Sequence, residues 1–230
     1  MSEDAKKFSV PLLILTLICT DFIFGFMLFF LSDNFLWIEA WIFLIILTII
    51  LAYMFFWLNK HNQLVLKNRT SMKGMQKKDM ILTSLLLIAF FAFFIVVCLD
   101  GGCYHWSTIP LWGKIIGDIC FVISFIIIFL VMKENSFAAK VIRVDKEVGQ
   151  LVITTGPYAV VRHPMYSGYI LWIFSMSIAL GSLYGLIPGV FFTILLIVRI
   201  PFEEKLLHKE LEGYTEYTKK VKKRLIPWIW

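Results

Sequence analysis

Charge is scarce in this sequence. Asp, Glu, Lys and Arg make up only 17% of the 230 residues, hydrophobic side chains make up 60%, and the mean hydropathy is +0.82. That balance excludes an ordinary soluble domain, which could not cover so much apolar surface. No G-x-G-x-x-G segment follows a strand-like stretch, so a Rossmann dinucleotide fold is excluded as well. The four cysteines (Cys19, Cys98, Cys103 and Cys120) form no C-x-x-C pair, and three lie in or beside apolar runs, where cysteine behaves as a small hydrophobe. Neither a disulfide framework nor a zinc site follows, although a Cys98–Cys103 pairing near one face stays open. The net charge of +6 comes from Lys and Arg confined to segments between apolar runs. These read as topology signals, and no nucleic-acid-binding pattern accompanies them.

What is present is a succession of apolar runs. Val10 to Leu31, Phe35 to Leu58, Met80 to Leu99 and Leu111 to Met132 are each long enough to cross a hydrocarbon core of ~30 Å. No small-residue cleavage site follows the first run, so it reads as a span and not a signal peptide. Asp21, near its middle, is either a functional carboxylate or one that faces other helices, protonated or hydrogen-bonded. Glu39 lies one turn into the second run, where it can reach water. The block from Tyr166 to about Ile200 is too long for one span, and Gly181-Ser182-Leu183-Tyr184-Gly185 interrupts it, which predicts a helical hairpin. Pro201 should bend the second arm or sit where neighbouring groups compensate for its missing N–H.

The connections Asn59 to Asp79 and Lys133 to Arg162 are basic, and with both termini they gather all of the 22 Lys and Arg residues on one side except Lys114. By the positive-inside rule that side is cytoplasmic, in the cell membrane. Asn68-Arg69-Thr70 matches the glycosylation pattern but falls on the wrong side for that chemistry, so it reads as chance. The tail from Lys205 to Trp230 is basic and amphipathic, with Trp228 and Trp230 at its end, and is expected along the interface. The fold class expected is all-α: a polytopic membrane protein of about six transmembrane helices with a C-terminal helical hairpin and an interfacial C-terminal helix. Residues 1–133 supply about four spans, and residues 134–230 supply the chemistry.

The longest segment that is neither lipid-soluble nor a charged tail runs from Gln150 to Gly168. It holds two rigid turn signals, Gly156-Pro157 and His163-Pro164, with tyrosine, arginine and histidine between and around them. Arg162, His163 and Tyr166 stand at the start of the hairpin, and Arg199, Glu203 and Glu204 at its end, so the hairpin brings both groups to one membrane depth. Arg199 and Glu203 share a helix face, and Glu204 points about 100° further round. Six polar residues at one edge make a site hypothesis, against the blander reading of an interfacial Arg–Glu pair and a loop histidine.

Thr155-Gly156-Pro157-Tyr158, then Val161-Arg162-His163-Pro164-Met165-Tyr166-Ser167-Gly168, then Arg199 with Glu203-Glu204, then Gly213-Tyr214-Thr215-Glu216-Tyr217 and Arg224-Leu225-Ile226-Pro227, resemble the isoprenylcysteine carboxyl methyltransferase family and its phospholipid-methyltransferase relatives. The resemblance covers roughly Glu134 to the C-terminus. It implies an integral membrane enzyme that uses S-adenosylmethionine and needs no metal. It also implies that Gln150, Leu151, Val152 and Ile153 line the cofactor pocket through backbone groups, that Tyr158 packs on the cofactor, and that His163, Pro164, Met165 and Tyr166 contact it. Glu203 would hold the methionyl ammonium end with Glu204 assisting, and Arg199 would orient the acceptor. The expected acceptor is a prenylated or other lipidic carboxylate among the membrane lipids. A phospholipid N-methyltransferase is the alternative, and a non-enzymatic transporter or scaffold is a third reading.

Overall fold

The computed structural model describes residues 8–70, 75–138, 142, 150–227 and 230. Lys73, Trp228 and most of the basic stretch between Ala138 and Gln150 lie outside these residues. The described chain is helical, with no strand among the described residues. Eight α-helices follow in order: α1 (Val10–Ser32), α2 (Ile38–His61), α3 (Gln63–Thr70), α4 (Lys77–Val97), α5 (Leu111–Glu134), α6 (Pro164–Ala179), α7 (Leu186–Glu210) and α8 (Tyr214–Lys220). A wider π-type turn, Cys98–Tyr104, continues α4, and a short 3-10 turn covers Gly156–Ala159.

Among the described residues five helical segments are long and apolar enough to cross a membrane: Val10–Ser32, Ile38–His61, Lys77–Tyr104, Leu111–Glu134 and Leu186–Glu210. Their apolar side chains largely face outward, as Phe22, Phe30 and Ile88 do, which suits lipid rather than water. The protein is therefore an integral, multi-pass membrane protein. The first arm of the predicted hairpin, α6, has only 16 residues, about 24 Å of helix. Pro164 fixes its start, and Gly181, whose φ of +82° suits glycine, follows its end, so the apolar block yields a shorter arm than its hydropathy suggests.

Packing explains how a short arm is held. Gly117 of α5 lets the backbone of α6 come so close that a Cβ there would meet the Ala179 nitrogen at 2.5 Å. At the same end Asp100 is fully buried and accepts hydrogen bonds from Ser107 N and Oγ (both 2.7 Å), Ser182 Oγ (2.6 Å) and Tyr184 N (3.2 Å). This carboxylate joins the α4–α5 connection to the α6–α7 turn, so the hairpin expected at Gly181–Gly185 is tied down by a side chain from another loop. Lys114, the basic residue on the far side, pairs with Glu39 at 2.5 Å. Cys98 and Cys103 are both free thiols, and Cys98 donates to the Met27 carbonyl at 3.7 Å.

The core runs through all the long helices. Phe24 of α1 packs edge-on against Phe94 of α4 at 5.5 Å, and Phe43 of α2 meets Phe121 of α5 at 5.1 Å. Asp21 is half-buried and one of its carboxylate oxygens has no partner. Three features differ from the sequence expectation. The basic connection after α2 contains a helix of its own, α3. The second hairpin arm continues as α7 through Pro201 to Glu210, because only one N–H is lost there while the rest of the ladder persists. That extension takes Lys205–Glu210 out of the tail, and among the described residues the helical part of the tail is Tyr214–Lys220.

Candidate active site

The site is assembled at the end of the bundle where α2 and α5 finish and α4 and α6 begin. A residue before proline is pushed out of the helical region, and His163 accordingly has φ −120° and ψ 58°. Its N–H therefore points away from the helix and donates to the Arg224 carbonyl at 2.8 Å, beside Arg162 N to Lys223 O at 2.9 Å. Ser167 Oγ adds a bond to Leu225 O at 2.6 Å. The C-terminal strap 221–225 is thus stitched to the entrance of α6. On the other side, Thr155 Oγ1 donates to Glu134 Oε2 at 2.9 Å and Asn135 Nδ2 donates to the Tyr158 hydroxyl at 2.8 Å, which fixes the Gly-Pro-Tyr turn to the end of α5. Gly156, at φ +57°, also sits where a Cβ would meet Glu134 Cγ at 2.7 Å.

These elements enclose a cavity of about 400 Å³, within the range of small-molecule sites. Gln150, Leu151, Val152, Ile153, Tyr158, His163, Pro164, Met165, Tyr166, Arg199 and Glu203 all line it. Glu204 does not. Adjacent residues on a helix diverge by about 100°, and on α7 this sends the two carboxylates to different tasks. Glu203 faces the cavity, where the Tyr166 hydroxyl donates to its Oε2 at 2.6 Å and His163 Nδ1 lies 3.9 Å away. Glu204 is buried against the strap, held by Arg162 Nε at 2.6 Å, His163 Nε2 at 3.3 Å and Arg224 Nε at 3.0 Å. His163 and Tyr166 stack with ring centroids 5.6 Å apart, so one imidazole spans both carboxylates.

Arg199 is buried and bound to Asp79 of α4, Nη2 to Oδ1 at 2.7 Å and Nε to Oδ1 at 3.0 Å. The other oxygen of Asp79 accepts the Ile142 N–H at 2.8 Å. The sequence expectation assigns Arg199 to the acceptor, and no local sequence signal marks Asp79. Asn135, Arg69, Tyr169 and Trp172 also line the cavity, from α3, α5, α6 and their ends. No local pattern marks them, because their partners are distant in sequence. Tyr214 and Tyr217 did carry a signal, as the tyrosines of the G-x-x-Y-x-x-Y element, and both line the cavity too. Tyr217 donates to the Tyr158 carbonyl at 2.7 Å, whereas the buried Tyr214 hydroxyl has no partner.

Burial pushes the Tyr158 phenol up to about 12 and raises those of Tyr214 and Tyr217 further, so all three stay neutral donors at physiological pH. Among the described residues no Lys or Arg pairs with Glu203. The result is a cavity that holds a carboxylate with only His163 and Tyr166 in direct contact among the described residues, an orphaned hydroxyl, and apolar walls made by Leu86, Phe90 and Phe192. Among the described residues no His, Cys, Asp and Glu group could hold a metal ion.

No curated protein matches the chain. Residues 112–212 match the family profile described as phospholipid methyltransferase, a stretch that begins at the start of α5 and takes in the Gly-Pro-Tyr turn, the hairpin, Arg199 and both carboxylates. Over residues 112–212 the chain is thus similar to the phospholipid methyltransferase family, whose members are membrane methyltransferases.

Proposed function

We propose that the protein transfers a methyl group from S-adenosylmethionine to a lipidic acceptor, with the carboxylate of a prenylated or other lipid as the first reading. The observation that carries this is Glu203: a carboxylate at the wall of a partly apolar cavity, with no Lys or Arg paired to it among the described residues, attracts a cation much more strongly than it would in water. The cofactor supplies an electrophilic methyl on a sulfonium and carries an ammonium, both of which suit that charge. The Tyr166 hydroxyl and the His163 ring hold the carboxylate in place. The 150–153 segment would contribute backbone groups, and the Tyr214 hydroxyl is free to bond a further polar atom. Glu204 supports these residues from behind by fixing Arg162, His163 and the strap.

Methyl transfer is an in-line displacement at carbon, so the chain has to align donor and acceptor and exclude water. A carboxylate acceptor is already ionised at neutral pH and needs no base, whereas an amine must first lose a proton. The region 134–230 supplies the donor side, and 1–133 shapes the lipid-facing wall through α3 and α4. The clustering of Lys and Arg at this end supports a site that faces the cytoplasm at the cell membrane.

Phospholipid N-methylation is the second reading, and the family description favours it. Incubating the purified protein with labelled cofactor and membrane lipid extract tests both. A base-labile product is a methyl ester, and a base-stable headgroup product is a methylated amine. Labelling of neither class, by protein that binds the cofactor, would contradict a lipidic acceptor.

A further inference from the structure

Three arginines line the cavity: Arg69, Arg162 and Arg199. Two are committed. Arg162 is bound to Glu204 and to the carbonyls of Val221 and Lys222, and Arg199 is bound to Asp79. Arg69, in the last turn of α3, is different. Its Nη2 donates to the Tyr169 hydroxyl at 2.6 Å, and among the described residues it has no carboxylate partner. A neutral hydroxyl orients a guanidinium but does not neutralise it, so a half-buried positive charge faces an apolar-walled cavity with donors left over.

The surroundings suit an incoming oxygen. Because Tyr169 accepts from Arg69, its own proton remains available to donate. Three residues further along the same face of α6, about 4.5 Å deeper, Trp172 lines the cavity with its indole N–H buried and unpartnered. Thr83, on the facing helix α4, has a buried hydroxyl in the same state. One wall of an otherwise apolar chamber therefore offers a cation and several donors without acceptors, while Glu203 on α7 supplies the opposite charge.

We infer that Arg69, braced by Tyr169, is the anchor for an oxyanion carried by the lipid acceptor, a carboxylate or a phosphodiester, and that Arg199 is instead a structural partner of Asp79. The word acceptor rests on the methyltransferase reading; the oxyanion site itself does not. A planar guanidinium with a hydroxyl beside it can grip two oxygens of such a group in parallel. The hydrocarbon attached to that group would then lie along Leu86, Leu87 and Phe90, toward the lipid.

The test uses the full chain in detergent and four probes: dioleoyl phosphatidate and palmitate, with dioleoylglycerol and palmityl alcohol as uncharged counterparts. Half-saturation is read from the rise in unfolding temperature, and S-adenosylmethionine binding is measured alongside by calorimetry. Wild type should prefer at least one anionic probe over its counterpart by about tenfold, the scale of one charge-assisted contact. Arg69→Gln should reduce that preference to near one while leaving cofactor affinity within about twofold. Whether phosphatidate or palmitate shows the preference identifies the oxyanion as phosphate or carboxylate. Wild type without a preference, or Arg69→Gln with the wild-type preference, would overturn the inference and leave the methyltransferase reading standing. An Arg69-dependent preference in protein that binds no cofactor would keep the oxyanion site and sink that reading. If Arg69→Gln does not fold, Tyr169→Phe decides: a preference reduced about threefold supports the site, and an unchanged one overturns it.

Discussion

Arg199 and Asp79 lie 120 residues apart in sequence, yet their side chains meet in the buried wall of the cavity, Nη2 to Oδ1 at 2.7 Å. The pair joins α7 to the start of α4, and the second Asp79 oxygen reaches the backbone at Ile142. Removing one partner strands a buried charge. Asp79→Asn and Arg199→Ala should each cost about 3–5 kcal/mol, whereas replacing both with apolar residues of similar volume should recover most of the loss. Thermal unfolding of the two single variants and the double variant checks this; additive losses would show that the pair does not act as a unit.

The Glu204 carboxylate holds Arg162, His163 and Arg224 together. Glu204→Gln should destabilise the protein by roughly 3 kcal/mol and loosen the strap, because three donors lose an anionic acceptor they share in a buried place. Protease cleavage after Lys222, Lys223 or Arg224 reports the strap directly. It should accelerate in this variant and stay at the wild-type rate in Glu203→Gln.

Ending the chain at Lys220 removes the carbonyls that receive Arg162 N, His163 N and Ser167 Oγ. Cofactor affinity should fall by more than about tenfold, since the entrance of α6 would no longer be held in its non-helical turn. Calorimetry on a truncated protein whose helix content is intact makes the comparison; unchanged affinity would mean that the strap does not shape the pocket.

At Gly117 a Cβ would meet the backbone of Ala179. Gly117→Val should force α5 and α6 apart and cost about 1–3 kcal/mol or more, with the hairpin turn at Asp100 disturbed in step. Gly25, where a Cβ would have Leu44 at an ordinary 3.6 Å, is the control and should tolerate alanine. Unfolding temperatures of Gly117→Val and Gly25→Ala separate the two positions.

The spans were legible because hydropathy depends only on local composition, and the runs at Val10, Phe35, Met80 and Leu111 became α1, α2, α4 and α5 almost as read. The cavity-lining loop was legible for a different reason: Gly156-Pro157 and His163-Pro164 are turn chemistry that acts within a few residues. The divergence of Glu203 and Glu204 follows from helix geometry alone. What each carboxylate touches does not, since Arg224 comes from the tail and Tyr166 from another helix. Asp79 as partner of Arg199, and Arg69 as a cavity residue, were equally hidden. Lys114 is the exception to the charge rule, and its partner Glu39 comes from another helix. Hydropathy overstated α6 because it does not register where Pro164 starts a helix or where the backbone turns at Gly181.

The central claim is that Glu203 is the cation-binding group of a cofactor site. Calorimetric titration of S-adenosylmethionine and S-adenosylhomocysteine into the detergent-purified protein, beside Glu203→Gln, tests it most directly. Saturable binding by wild type, weakened at least about tenfold in a variant with an unchanged unfolding temperature, is the predicted result. Equal affinity in the two folded proteins, or no binding by wild type with lipid restored, would contradict it.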